Sequence, residues 1–178
     1  MSVMTSCDQT FDEVNTNKVD PTSLAPSLIL NKAIISTTYL DGFSTLGMLC
    51  YNFGIVQQII TPYGSSLSGG NYNQLNNGNA SQVWINSYRN VVKQIVAVVD
   101  QTKSDPLQSN TYHCARIWKA YTFMILTDTY GDIPYFEAGQ GYITEVISPK
   151  YDAQQAIYKD ILKELDEASS ALTTTQAA

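Results

Sequence analysis

Residues 116–141, RIWKAYTFMILTDTYGDIPYFEAGQG, run from an apolar helical pattern into a stretch rich in carboxylates, aromatic rings and glycine. Apolar side chains recur at helical spacing in the first half. Gly131 is the residue type that ends helices by taking a positive φ, and Pro134 then sets the direction in which the chain leaves. The pattern predicts a helix from about Asn110 to Tyr130, followed by a sharp corner.

Two interpretations of the corner compete. The structural one assigns the turn to five residues: Asp128, Tyr130, Gly131, Asp132 and Pro134. Asp128 opposes the dipole at the helix end and should be compensated by something local, such as a backbone donor, whereas Asp132 should accept backbone N–H groups within the turn. The alternative is a glycosidase pair drawn from Asp128, Asp132 and Glu137. Nearness in sequence does not establish that geometry, so we favour the structural corner and expect no catalytic residue.

Helical periodicity also covers most of the remaining chain. It predicts two helices within residues 21–62 and another that is capped by Ser81 and ends near Gln101. A last helix should follow Asp152, whose spacing to Gln155 fits a capping box. Almost no strand pattern competes, so the expected fold class is all-α, built from helical hairpins.

Composition and charge exclude several functions. The 178 residues, 44% of them hydrophobic, suit one domain or a piece of a larger one. Ten basic and sixteen acidic residues give a net charge of -6 without a basic cluster, which excludes a nucleic-acid partner. One histidine and three dispersed cysteines predict no metal site and no cofactor, and Cys50 and Cys114 are interpreted as buried free thiols. Without an 18-residue apolar run, no membrane-spanning helix is expected.

Residues 63–80, YGSSLSGGNYNQLNNGNA, form a predicted polar loop with the chemistry of a sugar site. Aromatic rings stack on sugar C–H surfaces, and planar amides bind hydroxyl groups in pairs. The candidate ligand-binding residues share these properties: Tyr63, Asn71, Tyr72, Asn73, Gln74 and, outside the loop, Tyr142. The open alternative is a solvated linker in which Tyr72 only covers the core.

The sequence MTSC, residues 4–7, is similar to a bacterial lipobox that ends in a lipidated Cys7. Met stands where leucine is usual, and no basic and apolar signal regions precede it. The alternative is a cysteine in a frayed terminus. We expect residues 1–7 to be a residual signal peptide, residues 8–20 an extended leader and residues 21–178 a helical domain.

Residues 116–141, followed by SPKYDAQQAIYKDILKELDEASSAL at 148–172, resemble the SusD/RagB family of nutrient-binding outer-membrane lipoproteins, in its SusD-like branch. The matching positions are TDxYGDIPY at 127–135, EA at 137–138, PxYD at 149–152, Gln155, Ile157, Tyr158, Leu165, Asp166 and Ala168. Residues 11–30 also resemble the stretch that follows the lipidated cysteine in that family, which favours lipidation of Cys7.

The resemblance implies a tetratricopeptide-like superhelical scaffold of which this chain is the N-terminal part, since family members are longer. It also implies a lipid anchor that holds the protein on the surface side of the outer membrane, as in Bacteroidota, and a SusC-like TonB-dependent transporter as partner. The expected function is capture of oligosaccharides or other nutrients for that transporter, without catalysis. A helical protein-interaction scaffold and a carboxylate-based glycoside hydrolase are the alternatives.

Overall fold

The computed structural model describes residues 24–39 and 77–174. Within these ranges the chain forms five α-helices, namely α1 (Pro26–Tyr39), α2 (Asn77–Asn86), α3 (Lys93–Thr102), α4 (Ser109–Tyr130) and α5 (Gln154–Ala171). A π-helical segment, Ser87–Val92, joins α2 to α3, and a short 3₁₀ turn, Pro106–Gln108, precedes α4. The described residues contain no strand beyond an isolated antiparallel bridge between Ile133 and Asp152. The predicted all-α class is therefore confirmed.

Helix α4 ends where the sequence predicts. Gly131 follows Tyr130 with a φ of 79°, and its backbone N–H donates to the carbonyl of Thr127 at 2.8 Å. The hydroxyl of Thr127 in turn donates to the carbonyl of Gly131 at 2.7 Å. The last turn of α4 is thus closed by its own chain, as expected of a glycine in the left-handed region.

Two predicted helix caps are wrong. Helix α2 already begins at Asn77, so Ser81 lies inside it, and the last four residues of the predicted loop at 63–80 are helical. Asn and Gly are weak helix formers, but packing of the apolar face, here including buried Val83, overrides that preference. Helix α5 has Ala153 as its N-cap residue without a side-chain cap, so the capping box expected of Asp152 does not form.

Helix α4 packs against α5 on one side and against α3 on the other, and α1 covers α3. The main core lies between α3, α4, α5 and the corner, and its largest fully buried side chains include Tyr135, Phe123, Leu126, Ile133 and Ile157. Burial of each aliphatic or phenylalanine side chain contributes ~1.5–3 kcal/mol relative to exposure. The corner that follows α4 is therefore part of the core.

Arg116 ties α4 to α5 by charge. Its side chain is almost buried and bonds Glu164 at 2.7 Å and Glu167 at 2.5 Å. The hydrogen bond that Arg116 donates to Glu164 raises the pKa of the guanidinium further above its usual range, and burial opposes this in part.

The prediction of a buried thiol at Cys114 is wrong, because this residue lies on the exposed side of α4. Its neighbour Ala115 takes the buried position on that turn. Cys50 and the part of the first predicted helical region beyond residue 39 lie outside the described residues. None of the helices described is both long and apolar enough to cross a membrane.

Candidate functional site

The corner between α4 and α5 is organised by the carboxylate of Asp152. One oxygen of this side chain accepts the backbone N–H groups of Tyr135 at 2.9 Å and of Phe136 at 3.0 Å. The backbone of Asp152 also exchanges two hydrogen bonds with Ile133, at 2.9 and 3.3 Å. Asp152 therefore holds the chain just after Pro134, instead of capping its own helix.

The start of α5 is capped from a distance. Asp132 accepts the backbone N–H of Gln154 at 2.9 Å, and the side-chain amide of Gln154 donates to the carbonyl of Thr127 at 2.7 Å. The expectation that Asp132 satisfies donors within its own turn is wrong for this bond, because its partner lies 22 residues further along the chain. A carboxylate at a helix N-terminus is favoured by the dipole, so this contact stabilises α5.

The other corner carboxylates contact separate groups. Asp128 accepts a hydrogen bond from the hydroxyl of Tyr158 on α5, so its partner is a side chain from the next helix and not a backbone donor of the corner. This bond raises the pKa of Tyr158. Glu137 accepts the backbone N–H of Lys150 at 3.1 Å. The carboxylates that a hydrolase would require are each engaged in joining two segments of the chain.

Aromatic side chains brace the corner from α2 and the π segment. Tyr88 donates to the carbonyl of Pro134 at 2.7 Å, and burial raises its pKa well above the usual range. The hydroxyl of Tyr130 accepts the backbone N–H of Trp84 at 3.0 Å, and the two rings meet edge to face with centroids 5.2 Å apart. Tyr130 before Gly131 and Pro134 after it are thereby attached to α2 and the π-helical segment.

Beside the corner lies an open cavity of about 270 Å³. It is lined by α3 (Val96, Val99, Asp100), by Lys103 just after α3, by Lys119 of α4, and by the chain after the corner (Tyr135, Phe136, Ala138, Gln140, Ile143, Thr144). Its size is slightly below the ~300–1,000 Å³ typical of small-molecule sites, which suits one sugar ring or a similar fragment.

Gly139 allows the chain after the corner to approach α3 closely. It has a φ of 73°, and an added Cβ would lie only 3.1 Å from Cγ2 of Val96. The turn is also held by the side-chain amide of Gln140, which donates to the carbonyl of Phe136 at 2.8 Å. One wall of the cavity is therefore shaped by a glycine whose replacement would force the wall outward.

The cavity combines apolar and charged groups. Lys103 pairs with Asp100 at 2.6 Å. The ammonium of Lys119 lies 5.1 Å from the ring centroid of Tyr135, and the hydroxyl of Tyr135 donates to Asp160 at 2.7 Å. Burial, followed by this hydrogen bond, raises the pKa of Tyr135 far above its usual range, so the phenol stays neutral and donates. Phe136 is 47% exposed and offers a ring to solvent next to Tyr135.

Most of the ligand-binding residues proposed from sequence cannot be placed. Tyr63, Asn71, Tyr72, Asn73 and Gln74 lie outside the described residues. Tyr142 is 89% exposed, with the ammonium of Lys93 5.0 Å from its ring centroid. Tyr142 does not line the cavity but directly precedes Ile143, which does.

Sequence reasoning missed the cavity residues. Val96, Val99, Asp100 and Lys103 are spaced so that they share one face of a helix, and this was the available signal on α3. Lys119 and Phe136 gave no signal, because their proximity depends on how α4 and the corner pack. No cluster of three or more possible metal ligands occurs among residues 24–39 and 77–174.

The described residues thus form helical hairpins with an aromatic corner, and the cavity beside it, lined by apolar and charged side chains, is the candidate site. A family model named SusD-like and described as "Starch-binding associating with outer membrane" matches residues 17–178. The chain belongs to this SusD-like family.

Two solved structures are similar to the chain. One, titled "Bacteroidetes AC2a SusD-like", has 28% sequence identity and a TM-score of 0.74, covering 87% of this chain and 28% of its own. The other, a chitin-binding protein, has 31% identity and a TM-score of 0.76, covering 86% of this chain and 33% of its own. The chain thus spans a third or less of each of these proteins. A search of curated proteins gave no significant match.

Proposed function

We propose that the complete protein is a cell-surface lipoprotein that binds glycans without cleaving them and delivers them to an outer-membrane transporter. The observation that carries this proposal is the similarity to a chitin-binding protein at 31% identity over 86% of the chain, within a family described as starch-binding. Binding of a glycan is the activity that both descriptions share.

The surface chemistry around the corner supports glycan binding. Tyr142 exposes an aromatic face, and the cavity beside it places Gln140 and Thr144 near Phe136. Such rings stack on sugar C–H groups, while amides and hydroxyls bind sugar hydroxyls. The loop residues Tyr63, Asn71, Tyr72, Asn73 and Gln74 would add the same chemistry.

The anchor and the partner are part of the same proposal. Cys7 would carry the lipid that holds the protein in the outer membrane, facing the cell surface, and a SusC-like TonB-dependent transporter would receive the ligand. Intact-mass measurement of the protein extracted from membranes of its source tests the anchor: acylated Cys7 supports it, and a retained Met1 with a free Cys7 thiol contradicts it.

Glycan retention tests the binding function. The complete protein should be delayed on gels that contain starch or chitin fragments, while a gel without glycan gives the baseline. Incubation with the same oligosaccharides for hours should release no new reducing ends. No delay on any glycan gel would contradict binding, and new reducing ends would contradict a non-catalytic role.

A helical scaffold that binds only a protein is the rival function. Co-purification with a large outer-membrane barrel fits both accounts, so only glycan retention separates them. A hydrolase is disfavoured by the contacts of Asp128, Asp132 and Glu137 described above, since each carboxylate already accepts a hydrogen bond from another segment.

A further inference from the structure

We infer that the cavity beside the corner is a subsite for an anionic sugar residue, one that carries a carboxylate or a sulfate group. This inference rests on the proposed glycan-binding function and goes further, because it names a ligand class that neither starch nor unmodified chitin represents.

The wall of the cavity carries a positive formal charge. Two lysines, Lys103 and Lys119, and one carboxylate, Asp100, line it, which gives a formal charge of +1 in a chain whose net charge is -6. Asp100 is paired with Lys103 at 2.6 Å. The ion pairs found within the described ranges do not include Lys119, so its charge is available to a ligand.

The ammonium of Lys119 is held in place by the ring of Tyr135. Its ammonium lies 5.1 Å above the ring centroid of Tyr135, and that ring is almost fully buried and held by the bond from its hydroxyl to Asp160. Because the ring is buried and its hydroxyl is hydrogen-bonded, the ring has little freedom to move. The ammonium that contacts this ring therefore has fewer positions available to it. A pre-positioned cation loses less entropy when it binds an anion than a free surface lysine does.

An apolar surface lies next to this cation. Phe136 stands edge to face against Tyr135, with ring centroids 4.9 Å apart, and is 47% exposed. Val96 and Ala138, both buried, line the same cavity. A sugar ring that stacks on Phe136 could therefore present an acidic substituent to Lys119 and its hydroxyls to Gln140 or Thr144.

A comparison of matched ligands tests the inference on the unaltered protein. Isothermal titration calorimetry of the complete protein would compare tetragalacturonate with the same oligosaccharide after reduction of its carboxyl groups to alcohols. We expect the acidic form to bind about tenfold more tightly than the neutral form. This factor corresponds to the lower end of the range for a charge-assisted hydrogen bond, because the cavity is open to solvent. This advantage should shrink as salt is raised. A sulfated tetragalactoside measured against its neutral parent separates the two acidic groups.

Substitution then assigns the effect to the cavity. Lys119→Gln should remove most of the tenfold preference, so that the acidic and neutral forms bind with similar affinity. Lys163→Gln is the control, because Lys163 is an exposed lysine on α5 with only a long contact to Glu167 at 3.9 Å. An undiminished preference in the Lys119 variant would overturn the assignment to this cavity. If that variant does not fold, Lys119→Met, which keeps an unbranched side chain without the charge, takes its place in the same comparison.

The outcomes separate this inference from the function on which it rests. Neutral and acidic forms that bind equally well contradict the anionic subsite but leave glycan binding intact. No binding of these ligands, together with no delay on the starch and chitin gels, contradicts both.

Discussion

Removal of the Asp152 carboxylate should loosen the chain at Tyr135 and Phe136. One carboxylate oxygen accepts both backbone N–H groups, at 2.9 and 3.0 Å, and each bond to a charged acceptor contributes ~1.5–3 kcal/mol. Water can replace the bond at Phe136, whose side of the corner is exposed, so the two contributions do not add in full. We expect Asp152→Ala to lower the free energy of local opening by about 2 kcal/mol.

Asp152→Asn separates the effect of the charge from the effect of the acceptor oxygen. Both bonds converge on a single oxygen, and the amide of asparagine can place its own oxygen there. Only the charge is lost, so the expected cost is about 1 kcal/mol or less. Asp166→Ala, an exposed change on α5, is the control for removal of a carboxylate without these bonds.

Amide hydrogen exchange followed by mass spectrometry measures the effect where it arises. A loss of about 2 kcal/mol corresponds to about 30-fold faster exchange in peptides that cover residues 133–138. Exchange at the unaltered rate in Asp152→Ala would refute the assigned role. Equal acceleration in the Asn and Ala variants would show that charge, and not the position of the oxygen, holds the corner.

Three further predictions concern other contacts. Glu164→Gln should lower the free energy of unfolding by about 1–2 kcal/mol by weakening its ion pair with buried Arg116, and an unchanged urea midpoint would contradict this. Gly139→Ala should lower the free energy of unfolding in the same assay, because it strains a positive φ and adds a Cβ 3.1 Å from a valine of α3, and an unchanged midpoint would contradict this. Burial of the His113 ring, aided by the charge of Arg116, lowers its pKa below 6.5. Because the folded state then binds fewer protons, stability should be highest above pH 6.5 and fall as pH drops through 6.5 towards the lower folded pKa. NMR titration of this single histidine checks the shift, and a pKa at or above 6.5 would refute it.

The sequence predicted those parts of the fold that depend on neighbours along the chain. Helix α4 and its end at Tyr130 follow from helical periodicity and from a glycine that readily adopts a positive φ. The all-α class follows from the same periodicity and from the lack of strand patterns.

The hydrogen bonds of the corner could not be predicted in this way. Asp132 lies in the turn and Asp152 lies before α5, so local rules assign each aspartate to its own segment. The structure exchanges them: Asp132 caps α5, and Asp152 binds the corner. The backbone bridge between Ile133 and Asp152 brings the two segments together, and no local sequence pattern predicts this bridge.

The cavity was also beyond local rules, because three separated segments form it. In the sequence, Lys119 is one lysine of a helix. Its contact with the ring of Tyr135 depends on how the corner packs against α4. Cys114 illustrates the same limit: an apolar stretch predicted burial, but the side of α4 that faces solvent depends on where α3 and α5 pack.

The bridge between Ile133 and Asp152 has an evolutionary consequence. It brings together the two ends of the segment that includes Gln140 and Tyr142. Once the ends of a loop are joined, each doubling of its length costs only ~0.6 kcal/mol. The mostly exposed residues 141–150 of this segment can therefore change in length or sequence while the buried corner, α4 and α5 stay in place.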